Sequence, residues 1–384
     1  MSTETATLAG WYARPEARTW TCPPAPAAVG TFHRSLPGYA PTPLTELPAL
    51  AAELGVRRVF VKDESARLGL GAFKVLGASY AVARELLARA GDPGPATLDR
   101  VRAVADPSLR LVTATDGNHG RAVAHVAALL GLSAHVYVPQ VTDTATIARI
   151  EGEGARVTVV DAPYDDTVKR AAEAAEASGG VLVQDTAWPG YEKIPGWIVD
   201  GYATLFREVD AQLAEAGVGA ADLVTLPIGV GSLAQAGVIH HRSGGSGGGS
   251  GSDGSGGSGG SGVALLGAEP DTAACVLAGL HAGEAVTVPT GKTVMAGLNC
   301  GTPSSIAWPY FTAGLDAAVA VTDAAAEEAV RDLGALGVAS GPSGASSLAA
   351  VRAALLGPGA AERRTALGDP STLVLLSTEG LHTA

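Results

Sequence analysis

The chain alternates short apolar runs with longer stretches whose apolar residues recur every three or four positions. Eight runs read as strands: RRVFVKDE (57–64), RLVTAT (110–115), AHVYVP (134–139), RVTVV (156–160), VLVQD (181–185), DLVTLPIG (222–229), VALLGAE (263–269) and TLVLLST (372–378). Helical spacing marks FKVLGASYAVARELLARA (73–90), NHGRAVAHVAALLG (118–131), TDTATIARIEGEG (142–154) and YDDTVKRAAEAAEAS (164–178). Continuous apolar strands separated by helices predict an α/β fold, with parallel-rich sheets covered by helices. In such sheets ligands bind where strand carboxyl ends enter loops. The loops to weigh therefore follow VKDE, VTAT, VLVQD, TLPIG and VLLST.

In TLPIGVGSLAQAG (225–237) an apolar strand passes through Gly229, Val230 and Gly231 into a helix at Ser232 and Leu233. Its backbone N–H groups and the helix N-terminus make an anion site suited to phosphate. The same residues also fit a dinucleotide fingerprint, with Glu269 as the ribose-binding acid once the inserted Gly/Ser stretch is discounted. TATDGNHGRAVA (113–124) is a second strand-to-helix turn, where Asp116, Gly117 and Asn118 permit a tight approach. The helix amides there can hold a substrate carboxylate, and a plain helix cap by Asp116 or Asn118 accounts for the same residues. QDTAWPGYEKIPGW (184–197) gathers Trp188, Tyr191 and Trp197 in a chain with only 5% aromatics, so it reads as a packed loop or lid. LSTEG (376–380) ends the last strand with two hydroxyls.

GAFKVLGAS (71–79) sets Lys74 among apolar and small neighbours. A snorkelling lysine is one reading; a lysine used for its amine, as in a Schiff base, is the other.

Charge narrows the partners. A formal net charge of −12, with 26 Lys and Arg against 38 Asp and Glu, argues against nucleic acid or an anionic membrane surface. No apolar run reaches the roughly 18 residues of a membrane span, and the N-terminus lacks a signal-peptide pattern, so a cytoplasmic location is expected. Cys22, Cys275 and Cys300 are too few and too scattered for a disulfide scaffold or a zinc site. Residues 243–262, almost pure Gly and Ser, read as a flexible linker with an end-to-end distance of about 25 Å.

Taken together, VKDESARLGLGAFKVLGASYA, TATDGNHGRAVA, DTAWPGYEKIPGWIVDGYATL, LPIGVGSLAQA, MAGLNCGTPSS, SGPSGASSLAAV and LLSTEG resemble the fold type II pyridoxal-phosphate enzymes. DESARLGLGAFKVLG and DTAWPGYEKIP narrow the resemblance to the diaminopropionate ammonia-lyases. The resemblance implies pyridoxal 5'-phosphate bound through Lys74, with Asn118 at its 3'-oxygen, Gly229 to Leu233 around its phosphate and Ser377 at its ring nitrogen. A neutral hydroxyl there suits β-elimination, in which the leaving group carries away charge. Thr115, Asp116, Gly117 and His119 would bind substrate, and Lys74, Asp116 and Asp185 would be catalytic. The implied reaction turns 2,3-diaminopropionate, a small amino acid, into pyruvate and ammonia.

Asp116 bears on the substrate, because many serine and threonine dehydratases of this fold carry a serine there. A dehydratase-type lyase and a catalytically impaired homologue are the alternatives, the latter because LHTA after STEG departs from the family's acidic, polar continuation. The resemblance also implies a homodimer and places Cys275 and Cys300 toward the site entrance, where a bridge between them is one reading and free thiols, which a reducing cytoplasm favours, the other. A small domain is expected at 81–185, inserted in a larger one formed by 1–80 and 186–384.

Overall fold

The structure, a computed structural model, describes residues 10–243 and 262–381. The Gly/Ser segment from 244 to 261 and the final residues of the LHTA end lie outside the described residues. Eleven strands occur among the described residues: β1 (Trp11–Ala13), β2 (Leu44–Glu46), β3 (Arg58–Asp63), β4 (Arg110–Ala114), β5 (Ser133–Pro139), β6 (Arg156–Val160), β7 (Val181–Leu182), β8 (Leu223–Pro227), β9 (Ala264–Pro270), β10 (Ala317–Val321) and β11 (Thr372–Ser377).

All eight strands read from the sequence are present, and β1, β2 and β10 are additional. β1 and β2 are three residues each, too short for a pattern. β10 is AAVAV, whose alanines favour helix in isolation. Tertiary context overrides that preference, because small side chains suit a strand buried between β9 and β1.

The chain forms two compact units. The larger holds residues 10–25, Pro41–Ser65 and Leu205–Leu381. Its seven strands run in the order β1-β10-β9-β8-β11-β3-β2. The five inner strands are mutually parallel, and β1 and β2 close the edges antiparallel. Helix Pro342–Leu355 crosses this sheet, burying Ala345, Leu348, Ala349 and Val351 against an aliphatic core that includes Val59, Leu266 and Leu373. On the same unit, the Arg242 guanidinium donates to the carbonyls of Gly314 and Val263, each at 3.0 Å, and is ion-paired with Asp316. Arg242 is fully buried. It thereby ties the end of helix Ser232–Arg242 directly to the residue that precedes β9.

The smaller unit holds Pro26–Ala40 and Ala66–Thr204. Its four strands, in the order β6-β5-β4-β7, are all parallel. Residues 26–40, 66–80 and 186–204 thus cluster with this sheet, whereas the boundaries read from the sequence place them in the larger domain. Helix Asn118–Leu130 packs against helix Lys74–Arg89. The start of helix Lys193–Glu215 meets the latter through backbone. A Cβ on Gly201 would lie 2.5 Å from the Leu76 carbonyl oxygen and 2.8 Å from the Gly77 Cα. Only glycine fits there.

Gly201→Ala is expected to lower folding stability by about 1–3 kcal/mol through overpacking. A urea midpoint equal to that of the parent would contradict this packing.

Candidate functional site

Two groups of polar residues stand at strand carboxyl ends, one in each unit. In the smaller unit Lys74 opens its helix. Its ammonium donates to Asp185 Oδ2 at 2.5 Å. Asp185 is 3% exposed, and it follows β7 at the point where the strand turns away. Burial alone would raise its carboxyl. The Lys74 charge and the hydrogen bond it donates outweigh that and hold it down to about 2.

His119, in the first turn of helix Asn118–Leu130, bonds the Val183 carbonyl through Nε2 at 2.7 Å. A carbonyl only accepts, so Nε2 carries the proton. Burial keeps the ring neutral, by lowering its pKa. Nδ1 is then a bare lone pair, 3.9 Å from Asp185 Oδ2 and without a hydrogen-bond donor.

Asp116 sits just beyond β4 and is half-buried. Burial first, then the negative charge of Asp185, raise its carboxyl to about 7, with Lys74 opposing. Thr115 Oγ1 shapes this turn by accepting the N–H groups of Gly117 and Gly120 at 2.9 and 3.0 Å. Asn118 is the first residue of the helix. Thr115, Asp116, Gly117, Asn118, His119 and Asp185 are therefore carried by neighbouring loops of one sheet, with Lys74 brought to Asp185 from the start of its helix. The result is one ionised acid beside one acid poised near neutrality, the separation that divides acid and base duties between carboxyl groups.

In the larger unit β8 leads into Gly229, Val230 and Gly231, and the helix begins at Ser232. Gly231 has φ +100°, and a Cβ there would meet the Phe311 ring at 2.6 Å. At Gly229 a Cβ would meet the Gly297 carbonyl oxygen at 2.8 Å. Val230 accepts from the Ser304 N–H at 2.8 Å, which pins the loop. Ser232 and Leu233 are buried in the first turn. No side chain caps this helix at Gly231, and a helix N-terminus after such a glycine loop suits an anion.

β11, which pairs with β8, ends at Ser377. That hydroxyl is buried and has no hydrogen-bond partner. An orphaned hydroxyl beside an uncapped glycine-loop helix fits a phosphorylated ring compound carrying a polar ring atom. Glu269, the candidate ribose acid, is used within the fold. Both its oxygens accept N–H groups, from Val276 at 2.8 Å and Leu277 at 2.7 Å. Cys275 and Cys300 are buried cysteines outside any disulfide.

The sequence did not single out Gln184, Tyr191 as a hydrogen-bonding group, or Tyr202. Gln184 is a fully buried amide, signalled only as a polar residue ending an apolar strand. Tyr202 carries a buried hydroxyl without a partner, and its ring packs on Phe73 at 4.8 Å. Nothing near it in sequence marks it.

Known proteins resemble this chain over most of its length. Residues 36–378 match the family profile described as pyridoxal-phosphate dependent enzyme. The diaminopropionate ammonia-lyase of Escherichia coli strain K12 is 36% identical over 358 residues, spanning 91% of this chain and 86% of that protein. That of Salmonella typhimurium strain LT2 is 38% identical over 314 residues, spanning 78% and 73%. The crystal structure of the E. coli diaminopropionate ammonia lyase in complex with D-serine superposes with TM-score 0.85 at 33% identity, covering 96% of this chain and 93% of the other.

Asp185→Asn is expected to lower the Asp116 carboxyl below its present value of about 7, because the substitution removes the nearest negative charge. Carbon-13 titration of Asp116 in the ligand-free protein checks this, and an unchanged midpoint would contradict it.

Proposed function

Since the chain belongs to the pyridoxal-phosphate dependent enzymes, and among them to the diaminopropionate ammonia-lyases, we propose that it carries out elimination on 2,3-diaminopropionate. With one water the products are pyruvate and two ammonia molecules, which makes the protein a carbon–nitrogen lyase. The observation that carries this reading is the Lys74 ammonium resting on Asp185 beside an Asp116 carboxyl raised to about 7.

When bound, pyridoxal phosphate supplies an electron-withdrawing ring that acidifies the Cα–H of an amino acid held through its α-nitrogen. By the family resemblance Lys74 would be the amine that attaches the cofactor. The helix start at Gly229 to Leu233 would take its phosphate, Asn118 its 3'-oxygen and Ser377 its ring nitrogen. Thr115, Asp116, Gly117 and His119 would receive the substrate, as the family resemblance implies.

Removal of the Cα proton needs a base. Lys74, once free as an amine, serves one face of Cα and Asp116 the other, which admits both enantiomers. Departure of the β-nitrogen needs a proton, since amide anion does not leave. Asp185, ionised and buried, holds that nitrogen as ammonium until it departs as ammonia. A hydroxyl leaving group has less use for two carboxylates, which favours the diamine over serine. The proposal includes a homodimer in the cytoplasm, the assembly the family resemblance implies. Among the described residues no helix is long and apolar enough to cross a membrane.

Purified protein with the cofactor is expected to show a visible band that changes when DL-2,3-diaminopropionate is added. Pyruvate should form far faster than from serine. Lys74→Ala should lose both the borohydride-reducible attachment and turnover. A stable band without pyruvate would overturn the lyase reading, and faster turnover of serine would point to a dehydratase.

The raised Asp116 carboxyl sets the pH dependence. Below about 7 it is increasingly protonated and fails as a base, so kcat/KM for the enantiomer it serves should rise through that pH and level off above it. In Asp116→Asn that limb should vanish, while the enantiomer served by Lys74 keeps its own profile.

A further inference from the structure

β4 and β7 pair only as far as Val112 and Leu182. Beyond that point they part, and the Gln184 side chain fills the opening. Its Oε1 accepts from the Ala114 N–H at 3.0 Å and from Thr113 Oγ1 at 3.1 Å, and its Nε2 donates to Tyr164 Oη at 2.9 Å. A side-chain amide thus replaces the next rung of the backbone ladder. Asp116 lies two residues beyond Ala114, and Asp185 is the residue after Gln184. The wedge spans the roots of both acid-bearing turns.

Gln184 is itself held from outside. The Val183 N–H points inward to Val112, so the Leu182 carbonyl and the Gln184 N–H face the open edge of the sheet. Tyr191 Oη meets both, accepting from Gln184 N at 2.9 Å and donating to Leu182 O at 2.8 Å. One phenol stands in for a neighbouring strand. It is delivered by the turn Trp188-Pro189-Gly190-Tyr191, closed by the Tyr191 N–H on the Trp188 carbonyl at 2.8 Å. Gly190 has φ +89° after a proline, the type II pattern. The Trp188 and Tyr191 rings stack at 4.4 Å, which fixes the turn's inner face.

We propose that Gln184, locked by Tyr191, is a positioning residue that sets the spacing of the Asp116 and Asp185 carboxylates and so tunes the site for an amine rather than a hydroxyl leaving group. The inference rests on the lyase reading for its substrate but not for its geometry. A carboxylate pair holds an ammonium only at a defined separation, and a misplacement of about 1 Å in a catalytic constellation costs about 10²-fold in rate. The charged and titratable groups acting on Asp116 are Asp185 after β7, Lys74 on its helix and Asp165 on helix Tyr164–Ser178, with neutral His119 from its own helix close to Asp185. Loosening the wedge changes the first of these most directly.

Two variants test it. Tyr191→Phe keeps the ring stack and deletes only the phenol's two hydrogen bonds; Gln184→Met keeps the volume and deletes the wedge's bonds. In the ligand-free protein the Ala114 and Gln184 amides should exchange faster, and the Asp116 titration should move to lower pH. In the holoenzyme, kcat with diaminopropionate should fall about 10- to 100-fold in Gln184→Met, less in Tyr191→Phe, with a smaller loss for residual serine turnover. Equal losses on both substrates with an unmoved Asp116 titration would overturn the proposal and leave Gln184 a structural residue. If the parent protein makes no pyruvate from the diamine, the lyase reading fails, while the exchange and titration data still decide the wedge. Should Gln184→Met not fold, Tyr191→Phe alone carries the decision.

Discussion

A lysine ammonium at the head of an apolar helix has to be met by something, and here it is met by Asp185. Burial alone would disfavour the Asp185 charge; the Lys74 ammonium keeps it ionised at a strand end. The arrangement orders what lies around it. Asp185, kept as a carboxylate, presses Asp116 toward neutrality, and His119 is left neutral with its proton committed to a backbone carbonyl. This one ion pair, together with burial, therefore bears on the protonation of two neighbouring groups, Asp116 and His119. It also makes Lys74 an exchangeable partner, since an amine needed for bonding elsewhere leaves behind a carboxylate ready to hold another cation.

What the sequence made legible follows from locality. Lys74 was visible because a cation among Phe73, Val75 and Leu76 is anomalous within a few residues. The glycine loop was visible because strand, glycines and helix are contiguous, and Asp116 because its turn lies between a clear strand and a clear helix. β10 was not, since AAVAV becomes a strand only through neighbours far away in the chain. The grouping of residues 66–80 with the smaller unit was not legible for a related reason. Residues 66–80 carry an amphipathic helix start, and periodicity reports that a face is buried without reporting against which sheet. Gln184 and Tyr202 gain meaning only from partners on other elements, Ala114 and Tyr164 for one, Phe73 and Gly77 for the other.

The parallel sheets explain why so much chemistry falls in loops that look unremarkable. Every inner strand of both sheets delivers its carboxyl end to the same side as its neighbours, so residues distant in sequence become neighbours there without special folding devices. Backbone amides and small residues then do much of the binding. Glu269 illustrates the cost of using such an edge, because its fully buried carboxyl, raised to about 7 by desolvation, is retained to cap two amides at the start of helix Cys275–Ala282.

Arg242 has a consequence of a different kind. By bonding the Val263 carbonyl while ion-paired to Asp316, it joins the two chain ends that flank the Gly/Ser segment, independently of what connects them. The entropy of closing a loop grows slowly with length, by about 0.6 kcal/mol per doubling. Stapled at its base, this connection is a socket: its contents are free to drift in length and composition over evolutionary time, or to be exchanged for a reporter, while the β8–β9 register beneath it is inherited unchanged.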